Sequence, residues 1–241
     1  MKVESGARRV RVMLGGTFVA DTIGPLLVWE SPHYPTYYFP EADVAMDLLV
    51  ETGEITRTPS RGDAVRYTVE AGGRAGSAYV YHDSKLPDLT GHYDFVWDTL
   101  DHWFEEDEEV FVHARDPYTR IDIVPSSRRV RVEVDGECVA ESTGAAFLFE
   151  TGLPTRYYLP KPDVRMDLLT PTDRSTRCPY KGTARYWTVS AAGKTHENLV
   201  WGYDAPLPES QKILGMVAFY NEKVDIYVDG ILQKRPRTKF S

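Results

Sequence analysis

Arg129-Val130-Arg131-Val132-Glu133-Val134 alternates charged and apolar residues, Asp135-Gly136 follows, and residues 137–142 resume an extended pattern. Alternation with a period of two is the mark of a half-buried strand. Asp-Gly between two such runs signals a tight hairpin. The same reading applies about 120 residues earlier, where Arg9-Val10-Arg11-Val12 leads into Gly15-Gly16. From there the match continues through Val19-Ala20 with Val139-Ala140, Glu30 with Glu150, and Tyr37-Tyr38 with Tyr157-Tyr158. It goes on through Asp43-Val44 with Asp163-Val164, Met46-Asp47-Leu48-Leu49 with Met166-Asp167-Leu168-Leu169, and Gly62 with Gly182. Residues 9–69 align with 129–189 without a gap. Two copies make a pseudo-symmetric pair rather than a solenoid, which needs about three.

Within each copy, residues 26–30 and 147–150 read as short apolar strands that end in a glutamate. In the second copy 186–190, 198–203, 216–220 and 224–228 read as further strands, with a turn at Ala192-Gly193. Val164 and Leu168, at i and i+4, predict a short helix over 163–169, and 208–214 predicts another. Residues 99–104 read as helical, ahead of the acidic run Glu105-Glu106-Asp107-Glu108-Glu109, which reads as a solvated face or loop. The expected fold class is therefore mainly β: two tandem copies of a small antiparallel β barrel or sandwich-like module with short helices. The first module spans 1–124, with the helical and acidic insertion near 99–109 and a charged link at 113–122; the second spans 125–241.

Composition narrows the function classes. A 241-residue chain with 42% hydrophobic and 27% charged residues is globular. It has no apolar run near the roughly 20 residues that a bilayer needs, so no membrane partner is expected. A net charge of −8 argues against nucleic acid as a partner. The basic triplets Arg8, Arg9, Arg11 and Arg128, Arg129, Arg131 alternate with valine and read as solvent faces of strands. Two cysteines, Cys138 and Cys178, are too few for a disulfide framework and point to a reducing, cytoplasmic location. A polar N-terminus without a secretory signal agrees with it. Phosphate-binding glycine loops, nucleophile elbows and zinc-ligand spacings are missing, so neither a cofactor nor a metal is expected.

The stretch richest in chemistry lies in the second copy. Glu150 follows an apolar run, and burial raises a carboxyl's pKa toward acid–base work; the plainer reading is a strand-end glutamate paired with an arginine. Cys178 beside Lys181 is either a thiolate favoured by the ammonium or a small buried hydrophobe. Lys181 reads as an anchor for an anion or as an exposed turn lysine. Tyr157, Tyr158, Tyr186, Trp201 and Tyr203 are the candidate cavity walls, or core. Asp163 reads as a helix cap or a ligand contact. In the link, Arg115 and Arg120 make either ion pairs or an anion site. The first copy has Thr58, Ser60, Arg61 and Arg66 where the second has Cys178, Tyr180, Lys181 and Tyr186, and Trp201 matches about Val80. That difference favours the second copy as the place for a single site.

These residues resemble the domain of unknown function 427 family in its tandem form. The resemblance rests on the opening Arg-Val-Arg-Val, the Tyr-Tyr-x-Pro-x-x-Asp-Val segments, Cys178-Pro179-Tyr180-Lys181-Gly182, Trp201-Gly202-Tyr203 and Ala218-Phe219-Tyr220. Residues 103–108 and 115–118 resemble the link of the tandem version. The resemblance implies a compact, β-rich bacterial domain. The nucleotidyltransferase label that the family also carries implies a Gly-Ser loop followed by paired aspartates, and the chain shows no such pattern.

Two functions stay open. One is a cytoplasmic small-molecule-binding protein, or an enzyme using acid–base or nucleophilic chemistry on a small polar or anionic metabolite, with Glu150, Cys178 and Lys181 at the reacting centre. The other is a non-catalytic interaction or scaffold protein that uses the paired modules.

Overall fold

The computed structural model describes residues 1–241, the side chain of Pro87 excepted. The chain forms two compact units, Met1–Asp116 and Pro117–Ser241. Each is a sandwich of one seven-stranded and one four-stranded antiparallel sheet. Both sheets are open at their edges, so of the two β architectures expected the sandwich is the one adopted.

In the second unit the large sheet runs Ile121–Pro125, Ala146–Glu150, Arg156–Pro160, Met216–Phe219, Lys194–Tyr203, Gly182–Ala191, Leu169–Cys178. The small sheet runs Glu137–Ser142, Val130–Val134, Asp225–Val228, Ile231–Leu232. Alternation decides what each face meets. Val130, Val132 and Val134 point inward against Leu159, Val189, Val200, Val217 and Phe219 of the large sheet, forming the inter-sheet core. The residues between them on the large sheet face the other way and build a second, smaller cluster on its outer face: Leu148, Tyr158, Tyr186, Trp201, Tyr203 and Ala218. Ile213, from the short 3-10 helix Pro208–Ile213, is buried in that cluster.

The first unit repeats the plan. Val10, Val12, Leu14, Tyr37, Phe39, Val69 and Phe95 fill its inter-sheet core. Val28, Tyr38, Ala64, Tyr81 and Leu89 make the outer cluster. The basic triplets sit on solvent faces, as the alternation requires, and are paired there: Arg9 with Asp21, Arg128 with Asp229, Arg129 with Glu141.

Two expected helices are not formed. Residues 102–105 are a strand that pairs with Val10–Leu14, because His102-Trp103-Phe104-Glu105 has period two: Trp103 and Glu105 are buried inward. Glu106, at φ +51°, turns the chain into Glu108–Val110. In 163–169, Val164 is extended and bridges to Ala140, which leaves only single 3-10 turns at Lys161–Asp163 and Met166–Leu168. The acidic run is not wholly solvated either: Glu105 is buried and accepts hydrogen bonds from Tyr37 and Arg8.

The hairpin turns have positive φ at both central positions: +55° and +78° at Gly15-Gly16, +49° and +85° at Asp135-Gly136. This is the twist that joins right-twisted strands. In the first unit Gly15 and Gly72 meet backbone to backbone, and a Cβ on Gly72 would lie 2.1 Å from the Gly15 carbonyl oxygen. The matching residue in the second unit is Ala192, at φ +48°. Gly72→Ala is therefore expected to cost at least about 1 kcal/mol, whereas Ala192→Gly stays within about 1 kcal/mol of wild type. Urea denaturation of the two variants checks this, and equal midpoints would refute it.

Candidate functional site

The hairpin between the last two strands of the large sheet sets the site. Cys178 pairs with Gly182, and the Lys181 N–H donates to the Cys178 carbonyl (3.3 Å). Gly182 has φ +96°, and a Cβ there would lie 3.1 Å from the Ala205 carbonyl oxygen. This lets the chain turn tightly under 205–207, where the Leu207 N–H donates to the Lys181 carbonyl. Lys181 is thereby directed back over the outer face, and its Nζ lies 2.5 Å from Glu150 Oε2. Glu150 shares that face with Ala146 and Leu148 by alternation along its own strand. The two side chains are only 10% and 9% exposed, so this is a desolvated ion pair.

Around the pair stand Tyr158, Trp201, Tyr203 and Tyr186, all buried. Trp201 Nε1 donates to the Tyr158 hydroxyl (3.0 Å), and the two rings meet edge to face. Tyr186 shares a hydrogen bond with Thr176 (2.8 Å). Burial raises the Tyr158 phenol well above its ordinary range, against the pull of the Trp201 hydrogen bond and with a further push from the Glu150 carboxylate. Burial does the same to Tyr203, which Glu150 and Cys178 also face. The structure thus brings together Glu150, Lys181, Cys178, Tyr158, Tyr186, Trp201 and Tyr203.

It does not bring in the others. Tyr157 points to the opposite face, since adjacent residues of a strand must; it packs edge to face on Phe147 and lines a separate cleft of about 150 Å³. Asp163 caps no helix: its carboxylate accepts from Ser142 Oγ at 2.5 Å. Arg120 pairs with Asp122 (2.9 Å), and Arg115, in the first unit, pairs with Glu108 (2.5 Å). Sequence reasoning missed Arg156, two residues before Tyr158 and so on its face. Arg156 lies over the Trp201 ring and makes a buried two-point pair with Glu222, 2.7 Å at each oxygen. The period-two offset from Tyr158 was the available signal.

The first unit carries a related constellation. Arg61 pairs with Glu30 and donates to the Tyr38 hydroxyl (2.9 Å), which in turn donates to Glu30 (2.8 Å). Its guanidinium lies over the Tyr81 ring. Register also revises one correspondence: Tyr186 faces Trp201 as Arg66 faces Tyr79, so Tyr79, not Val80, is the counterpart of Trp201. Between these positions the second unit has a bulge, with Asn198 at φ +53°. The same register sets Asp94 opposite Tyr38 where Ala218 is opposite Tyr158. Burial, then the charge of Glu30, pushes the Asp94 carboxyl up to about 8, against the opposing pull of Arg61.

Both cysteines are free. Among the described residues no three His, Cys, Asp or Glu side chains converge to hold a metal, and no helix is long and apolar enough to cross a membrane.

Two outcomes are expected. Removing one partner of a desolvated pair leaves the other uncompensated, so Lys181→Met should cost about 3–5 kcal/mol. The double change Glu150→Leu/Lys181→Met should recover most of that. Arg61→Met should cost less than Lys181→Met, because Glu30 is 29% exposed and keeps its Tyr38 bond. Chemical denaturation of the set tests the order. The second outcome concerns pH. An unfolded aspartate keeps its proton only below about pH 4, whereas folded Asp94 keeps it up to about 8. Between those values the folded state holds more protons, so this group's stabilisation is full below pH 4 and is lost as pH rises through 8. Asp94→Asn should flatten that part of the stability profile; an unchanged slope would contradict it.

The family model described as Domain of unknown function (DUF427) matches residues 2–106 and again 122–230. No curated protein matches the chain. With two successive matches that take in both β sandwiches, the chain belongs to the DUF427 family as a tandem pair of its domain.

Proposed function

We propose that the protein binds a small molecule on the outer face of the second unit's large sheet, and that Glu150 and Lys181 are the polar centre of that site. The observation that supports this reading is the desolvated Glu150–Lys181 pair set among Tyr158, Tyr186, Trp201 and Tyr203, with the Cys178 thiol nearby. An apolar, aromatic wall with a few convergent polar groups is what a small-molecule site is made of. The pair sets the ligand class. A carboxylate or phosphate group competes with Glu150 for the ammonium, and the displaced carboxylate then stands beside the bound molecule as a proton acceptor. A small anionic metabolite with an acidic C–H, N–H or O–H suits that arrangement. The segment holding Ile213 covers this face, and Lys212 Nζ ties it down by donating to the Ile123 carbonyl (3.0 Å).

A thermal-shift screen against metabolites grouped by charge tests the reading, with wild type beside Glu150→Gln and Lys181→Met. A ligand at about 100 times its Kd stabilises by about 2.7 kcal/mol. The expected result is a shift with anionic compounds in wild type that is lost in Lys181→Met. No shift with any class would overturn the proposal and leave a structural ion pair, with the interaction protein as the better account.

A further inference from the structure

The outer face of the first unit differs from its counterpart in a way that the fold does not require. Where Ala218 leaves room for the Trp201 indole to reach Tyr158, the first unit has Asp94 between Tyr38 and Tyr79. Inward-facing Tyr93 and Phe95 on either side of Asp94 fix its side chain on the outer face. The groups that face it from neighbouring elements are Tyr38, Tyr79, Tyr81, Glu30 and Arg61; on its own strand His92 shares the face and bonds the Thr90 carbonyl. Glu30 is committed to Arg61 and Tyr38. Arg66, the other nearby cation, is engaged by Glu54 (2.7 Å) and Ser77. Among the described residues the Asp94 carboxyl has no side-chain hydrogen bond and no cation of its own.

We propose that this face is a second binding site, for a small organic amine, in which the Asp94 carboxyl receives the ammonium and the Glu30–Arg61–Tyr38 set holds a polar group elsewhere on the ligand. Charge decides the class. Glu30 and Arg61 cancel, so the face has one acid with no cation paired to it, and that acid ionises at neutral pH only when a cation arrives beside it. An anion would meet two carboxyls. Tyrosine ring faces attract cations as well; Arg61 already lies 5.4 Å from the Tyr81 centroid. Before an amine arrives, burial and Glu30 keep the proton on Asp94 at neutral pH, against the pull of Arg61. Entry of R–NH3+ stabilises the carboxylate, and the Asp94 proton leaves to solvent. Binding is therefore coupled to proton release and tightens with rising pH. This proposal does not rest on the Glu150 reading.

The test uses the full chain with carboxyl-labelled aspartate, followed by NMR as pH is varied without ligand, with ethylammonium or 1,4-diaminobutane, and with acetate as the anionic control. The expected result is an Asp94 titration near 8 that falls by about one unit or more with saturating amine and does not move with acetate. A one-unit fall corresponds to about tenfold tighter amine binding above the titration than below it. Asp94→Asn should weaken amine binding at least about tenfold and remove its pH dependence, while Glu197→Gln, at an exposed position of the second unit, binds amine as wild type does. Any of three results would overturn the proposal: no response of Asp94 to either amine, an equal response to acetate, or unchanged amine binding in Asp94→Asn. If Asp94→Asn does not fold, the wild-type titration alone decides.

Discussion

A sheet has two faces, and in each unit the small sheet covers only one face of the large sheet. The outer face of seven strands carries every second side chain and must be shielded by other means. Each unit does this with short covering segments, which bury Leu89 in one case and Ile213 in the other, and with large aromatic rings laid across the strands. In the second unit the glutamate that ends an apolar strand is thereby desolvated, and a desolvated carboxylate requires a cation; Glu30 of the first unit stays 29% exposed and is paired all the same. The hairpin at 58–62 or 178–182 delivers that cation, because a glycine at positive φ lets the turn tuck under the following loop. The Glu–cation pair is thus the point on which the geometry of the outer face depends.

The two units meet this requirement with different chemistry. Lys181 offers a point charge, which Glu150 takes at 2.5 Å. Arg61 donates from its Nη1 to both Glu30 and the Tyr38 hydroxyl. Across the rest of the face the copies diverge: Cys178 for Thr58, Tyr186 for Arg66, Trp201 for Tyr79, Ala218 for Asp94. The last two changes go together, since an indole that donates to Tyr158 and an aspartate beside Tyr38 occupy the same part of the face. The second unit's face is aromatic and carries a thiol; the first unit's is acidic.

Most of the fold was legible because alternation is a local property. Arg129-Val130-Arg131-Val132 and Asp135-Gly136 state a strand and a turn without reference to anything distant, and the 9–69 alignment with 129–189 states the duplication. The failures have equally physical origins. Residues 99–104 hold only one strong helix former, Leu100, and the period-two run from His102 pairs with the strand Val10–Leu14 instead. Val164 and Leu168 fit a helical spacing by accident of two 3-10 turns separated by an extended residue. For the site, Glu150, Lys181 and Tyr158 were legible through their repeat positions, but treating Tyr157 and Tyr158 as neighbours in one wall ignored the period of two. Asp94 lay beyond the ungapped alignment, where the bulge at Asn198 shifts the register, so its match with Ala218 could only be seen through strand pairing.

A buried ion pair is a poor way to gain stability: apolar residues of the same volume do as well or better. That each unit nevertheless keeps a glutamate, a tyrosine hydroxyl and a cation together, while Cys178, Tyr186, Trp201 and Ala218 stand where the other unit has Thr58, Arg66, Tyr79 and Asp94, argues against packing as the sole reason for the pair. Packing would be satisfied by any apolar set that fits beneath the covering segment. Acid–base or ligand chemistry is not, because it needs a charge that is held in place, kept dry, and released when a competing charge arrives. On that argument the part of the outer face common to both units is suited to holding a ligand and the exchanged part to choosing it, which is the basis of the anion proposed for the second unit and the amine proposed for the first.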